Sequence, residues 1–229
     1  PDRRDMNRLF PGSDSGSLGG RIAEAFCREV LSHSSYGLDL HTGAVNRPNL
    51  PQIRISGKTG IEKEMARAFG APVVLTSPPR EGSLRASAAE YDISSLLSEA
   101  GEACRLDEAS VKHGLRGILN VLRHLDMIPH DKARKRLPRP VHMSSSHWER
   151  SPRGGLFVPR VKLGRPVSKD MLIGIIADPF SDQETAITSR ADGVVIGQTT
   201  LAVVDEGEAL FHIARSKDPE SVAATVEKN

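Results

Sequence analysis

The residues of greatest chemical promise in this 229-residue sequence are a histidine and a glutamate placed alike at the ends of two predicted strands. In Tyr36-Gly37-Leu38-Asp39-Leu40-His41 the apolar residues alternate with Asp39 and His41, a period of two that predicts a strand with His41 on its polar face. Gly43 lets the chain turn directly afterwards. Sheets flanked by helices bind ligands at the C-terminal edge of their strands, where His41 falls. A histidine there suits metal ligation, with Asp39 on the same face to orient the ring; a lone histidine also serves as an ordinary structural polar residue. Glu99 ends a second predicted strand, Ile93 to Glu99, and reaches the same edge. A carboxylate in that place suits a general base that takes a proton from metal-bound water; the alternative is a solvated strand-end glutamate.

Two further groups suit substrate binding. Asn7-Arg8 and Arg85 lie beside the glycine turns FPGSDSG and EGSLR, and a guanidinium beside an amide matches the two oxygens of a carboxylate. Plain surface arginines are the other reading. His33, His113, His124, His130, His142, His147 and His212 show no ligand spacing. Lys132, Arg134, Lys135, Arg136 and Arg139 form a basic run without aromatic interleaving, which reads as a solvated linker rather than a nucleic-acid surface.

The elements that position these residues follow from periodicity. Ser17 caps a predicted helix reaching about His33, with Leu18, Ile22, Ala25 or Phe26, and Val30 as its apolar face. Ile61 to Phe69 reads as helix, Pro72 to Ser77 as a buried strand, and Ser83 to Glu90 as a short helix. Asp107 caps a long helix with Val111, Leu115, Ile118, Leu122 and Leu125 toward the core, ending before Pro129. Helix-strand alternation over 1–128 predicts an α/β sheet with helices on its faces. Residues 129–152, rich in proline and basic residues, read as a linker. Short strands broken by turns over 153–229 predict a smaller all-β domain with a polar tail.

Composition bounds the function classes. With 38% apolar and 26% charged residues the chain has the make-up of a folded globular protein, and a net charge of +2 does not call for a polyanionic partner. Cys27 and Cys104 stand alone, which excludes a CxxC metal site or a dense disulfide framework and fits the cytoplasm. No apolar run is long enough for a membrane span, so neither membrane nor nucleic acid is expected as a partner.

The strings PDRRDMNRLFPGS, DLHTGAVNRPNLPQIR, AFGAPVV, GSLR, EAGEACRLDE and GLRGILNVLRHLDMI, continuing through RGGLFVPRVKLGRPV and DGVVIGQTTLAVVDEGEALFHIA, together resemble the succinylglutamate desuccinylase/aspartoacylase family, relatives of zinc carboxypeptidases. The resemblance implies a zinc-carboxypeptidase-like mixed sheet flanked by helices, with a smaller C-terminal all-β domain. It implies a zinc-dependent deacylase that hydrolyses the amide bond of an N-acyl amino acid or similar small amide. His41 then falls on a zinc ligand, Glu99 on the general base, Asn7 and Arg8 on the substrate-binding pair, and Arg85 on a second carboxylate grip. One zinc per chain is implied. The family's other two ligands, an H-x-x-E pair, belong upstream of the asparagine-arginine pair, and nothing precedes Pro1 here. The expectation is therefore that these 229 residues are an incomplete, inactive portion of a longer enzyme. The different-class alternative is a metal-free binding or scaffold protein of the same fold. The expected partner is a small N-acyl amino acid, with a homo-oligomer also admitted.

Overall fold

Four helices begin on a side chain that satisfies their free N–H groups: Ser17 accepts from Gly20, Thr59 from Glu62, Ser83 from Ala86, and Asp107 from Ala109 and Ser110. The computed structural model describes residues 2–130 and 139–227. In chain order the elements are α1 (Leu18–Glu29), β1 (Tyr36–Gly43), β2 (Asn49–Ile55), α2 (Gly60–Phe69), β3 (Val73–Thr76), α3 (Leu84–Glu90), β4 (Ser94–Glu102) and α4 (Glu108–His124). There follow β5 (Val141–Met143), β6 (Ser146–Arg150), β7 (Gly155–Pro159), β8 (Pro166–Val167), β9 (Leu172–Ala177), β10 (Glu184–Thr188), β11 (Gly193–Gln198), β12 (Val203–Val204), β13 (Ala209–Arg215) and α5 (Pro219–Glu227).

The fold is mixed α/β. A nine-stranded sheet runs in the order β1-β4-β2-β11-β13-β6, with β3 and β5 continuing from β2 and β8 lying on β11. Strand β1 is parallel to β4, β2 is antiparallel to β4, and β11, β13 and β6 are antiparallel throughout. A second, all-β sheet has the order β10-β9-β7-β12. Among the described residues β1 pairs with β4 alone, so its other edge is unpaired. One core forms where Ile53, Ile55, Val74 and Leu96 of the large sheet meet Met65 and Phe69 of α2 and Val121 of α4. Another fills the space between the sheets with Phe157, Ile173, Ile176, Phe211 and Ile213. No helix among the described residues is long and apolar enough to cross a membrane.

The structure departs from the sequence reading in three places. First, the sequence reading assigns no element to β2; Pro51 within it and the polar Asn49, Gln52 and Arg54 hide a strand at the centre of the large sheet. Second, α1 and α4 bury other faces than their largest apolar residues suggest. α1 packs through Gly19, Gly20, Ala23 and Cys27 and leaves Leu18, Ile22 and Val30 exposed; α4 packs through His113, Gly117, Asn120 and Val121 and leaves Val111 and Leu115 exposed. Small residues permit closer approach: a Cβ on Gly117 would lie 2.3 Å from the Phe69 ring. Third, the stretch read as a linker holds β5 and β6, both strands of the large sheet. The basic residues Lys132, Arg134, Lys135 and Arg136 lie outside the described residues.

Candidate active site

The site grows out of strand register. His41 and Glu99 are direct partners on the parallel strands β1 and β4, so their side chains share one face of the sheet. His41 Nε2 lies 3.0 Å from Asp39 Oδ2, two residues back on the same face. That carboxylate raises the pKa of the His41 imidazole, against the opposing effect of burial.

Both oxygens of Glu99 meet a donor from β2. Asn49 Nδ2 donates to Oε2 at 2.9 Å, and an Arg54 Nη2 stands 3.5 Å from Oε1. The half-buried carboxylate is thus held by a hydrogen bond at one oxygen and an ion pair at the other. Neither Asn49 nor Arg54 was singled out in the sequence, since a role for them follows only once β2 is known to be a strand beside β4.

Arg85 comes from α3 and is buried, with 6% of its surface exposed. Its Nη2 donates to the carbonyls of Ser77 and Pro78 at 3.1 and 3.4 Å, while Nη1 has no partner among the described residues. Burial, with the nearby Arg54 charge, lowers its pKa. A buried guanidinium with an idle N–H group calls for an anion, because leaving such a donor unmatched is costly. Asn7 is partly committed to structure: its Oδ1 accepts from the Leu84 N–H at 2.8 Å at the start of α3. Arg8 is exposed, 3.7 Å from Asp5. The Asn7-Arg8 turn and the GSLR turn are pressed together at Gly82, where φ is +75° and a Cβ would lie 2.7 Å from the Arg8 carbonyl oxygen.

His41, Glu99, Asn7, Arg8 and Arg85 all line a single cleft of about 620 Å³. The far wall comes from the second half of the chain, with Trp148 of β6 and His212 of β13 stacked at 4.5 Å and 9°. The guanidinium carbon of Arg47 lies 5.8 Å from the Trp148 ring centroid. The sequence reading missed this wall; the nearest signal was Trp148, the chain's one tryptophan, beside a basic stretch.

The described residues do not make a zinc site by themselves. No group of three or more His, Cys, Asp or Glu among them is placed to hold a metal ion, and His41 stands as a single candidate ligand, fewer than the three protein ligands usual for catalytic zinc.

The fold is a mixed α/β sheet with a second all-β sheet, and its cleft sets the Glu99 carboxylate close to Arg54. Residues 1–125 match the model of the succinylglutamate desuccinylase/aspartoacylase catalytic domain, and the chain belongs to that family. It is 27% identical over 225 residues to the N-alpha-acetyl-L-2,4-diaminobutyric acid deacetylase of Halomonas elongata, covering 93% of this chain and 66% of that protein. The chain thus spans just under two thirds of the relative's length. Among solved structures, the succinylglutamate desuccinylase/aspartoacylase from Rhodobacter sphaeroides is similar with a TM-score of 0.83 at 25% identity, over 94% of this chain and 69% of that one. The ectoine utilization protein EutE (DoeB) from Ruegeria pomeroyi shares the fold with a TM-score of 0.83 at 21% identity, over 93% and 70%.

Proposed function

We propose that this cleft hydrolyses the amide bond of an N-acyl amino acid. The observation that carries the reading is the placement of Glu99, oriented by Asn49 and Arg54, in one cleft with the buried and partly unpartnered Arg85. Arg85 binds the carboxylate of the amino-acid half, with Asn7 and Arg8 at the same mouth. Glu99 takes the proton of the attacking water and returns it to the leaving amine, a role that typically contributes about 10² to 10⁴ in rate. The deacetylase relative supports an amide as substrate.

Zinc remains part of the proposal as an expectation of the family, with His41 as one ligand and Asp39 beside it to orient the ring. The reading places the enzyme in the cytoplasm with a small-molecule partner, and a homo-oligomer is compatible with it.

The carboxylate grip is tested by calorimetric titration with N-acetyl-L-aspartate and with the same compound blocked as its diamide. The acid is expected to bind at least about tenfold more tightly, a difference of ~1.4 kcal/mol. Arg85→Ala should abolish that preference. Equal binding of acid and diamide by the unaltered protein would overturn the assignment.

A further inference from the structure

Strand β2 measures the cleft from end to end. At its start, Asn49 pairs with Gly197 of β11, and a Cβ on Gly197 would lie 2.8 Å from Asn49 Oδ1, 3.2 Å from His212 Cβ and 3.7 Å from Trp148 Cη2. Asn49, His212 and Trp148 therefore meet at this end, and only a glycine leaves room for them to do so. At its other end, the Ile55 carbonyl accepts from the Ser77 N–H at 2.9 Å, and the Ser77 carbonyl accepts from Arg85. Six residue steps at ~3.3 Å each separate the two ends by roughly 20 Å along the strand. Glu99 faces the middle, in register with Gln52 and touched by Asn49 from one end and Arg54 from the other.

The two ends differ in chemistry. The Arg85 end offers a guanidinium whose Nη1 has no partner, and which pairs with no carboxylate, among the described residues. At the opposite end the Arg47 charge is matched by Glu208 at 3.3 Å, and Arg150 donates to the Gly207 carbonyl. The cleft there is lined by the half-buried Trp148 indole, with His212 stacked on it and the Arg47 guanidinium over the ring, and His212 Nε2 is 2.9 Å from Ser146 Oγ. Burial and the nearby Arg54 push the His212 pKa down to about 3, so its ring is an uncharged partner to the indole at neutral pH.

We propose that Trp148, His212 and Arg47 form an acyl-group subsite that takes a planar, uncharged acyl group larger than acetyl, of the benzoyl class. The inference rests on the amide-hydrolase reading, which places the amino-acid carboxylate at Arg85 and the scissile amide at Glu99, and so sends the acyl group toward the aromatic end. A ring seated there gains burial of its apolar surface and contact with an indole already fixed by its neighbours, so little ordering is lost on binding.

The test uses the chain's single tryptophan as its own reporter. N-benzoyl-L-aspartate and N-acetyl-L-aspartate are titrated into the unaltered protein, with affinity read by calorimetry and location by Trp148 emission. The benzoyl compound is expected to bind at least about tenfold more tightly and to shift the emission, and the acetyl compound to leave it unmoved. Trp148→Ala, if folded by circular dichroism, should bring the two affinities together without changing that of the acetyl compound, whereas Arg85→Ala should weaken both alike. Equal affinities with unmoved emission overturn the acyl subsite while leaving the carboxylate reading intact. Failure of both compounds to bind overturns the reading and the subsite with it.

Discussion

The contact between Arg54 and Glu99 gives a quantitative prediction that needs no substrate. Their side chains are 22% and 14% exposed and their charged atoms are 3.5 Å apart. At an effective dielectric constant of about 20, two unit charges at that distance attract by about 5 kcal/mol before the cost of removing them from water. Desolvation offsets much of this, and at 3.5 Å the pair lacks a short hydrogen bond, so a net coupling of ~1.5 to 2 kcal/mol remains. The assay is a double-mutant cycle of Arg54→Met and Glu99→Gln, each variant unfolded by urea at pH 7. Each single variant should lose ~1 to 3 kcal/mol of stability, and the double variant should lose less than their sum by the coupling. A coupling below ~0.5 kcal/mol would refute the claim that Arg54 orients Glu99, leaving Asn49 as its only anchor.

Other perturbations follow from the same geometry. Gly117→Ala should cost ~1 to 3 kcal/mol in urea unfolding, because the added Cβ would sit 2.3 Å from the Phe69 ring; a neutral outcome would mean that α2 and α4 are not packed as described. Burial holds the His113 pKa at about 4, with Arg116 contributing, and that of His212 at about 3, against 6.5 for an ordinary histidine. The unfolded chain therefore binds these protons first as pH falls. Stability should be intact above about pH 6.5 and drop on acidification toward pH 4 by up to ~1.4 kcal/mol per pH unit for each histidine, and a flat pH profile over that window would contradict their burial. Zinc added to these 229 residues should bind weakly, as His41 has no partner ligands among the described residues; tight one-to-one binding in calorimetry would reveal a site built from other groups.

Much of the site was legible because its residues carry local signals. Alternation in Tyr36 to His41 placed His41 at a strand end, and the register of β1 on β4 then sets it beside Glu99 as that placement requires. Asn7, Arg8 and Arg85, marked by their glycine turns, line the same cleft. What could not be read depends on contacts distant in the chain. The donors to Glu99 sit on a strand disguised by Pro51, and the aromatic wall joins Trp148 to His212, far apart in the chain. Helix faces were misread for a physical reason as well. Spacing identifies a stripe of large apolar residues, whereas α1 docks through Gly19, Gly20, Ala23 and Cys27, and α4 through Gly117 beside His113, Asn120 and Val121, leaving Leu18, Ile22, Val111 and Leu115 outside.

The central claim is that Glu99 acts as the proton acceptor in amide hydrolysis. Its most direct test is amine release from a panel of N-acyl amino acids by the protein supplied with zinc, with Glu99→Gln measured alongside at equal metal content. Turnover by the unaltered enzyme and a loss of about 10² to 10⁴ in kcat for the variant is the predicted result. A variant that releases amine at the unaltered rate, or an unaltered enzyme that releases none from any member of the panel, would contradict it.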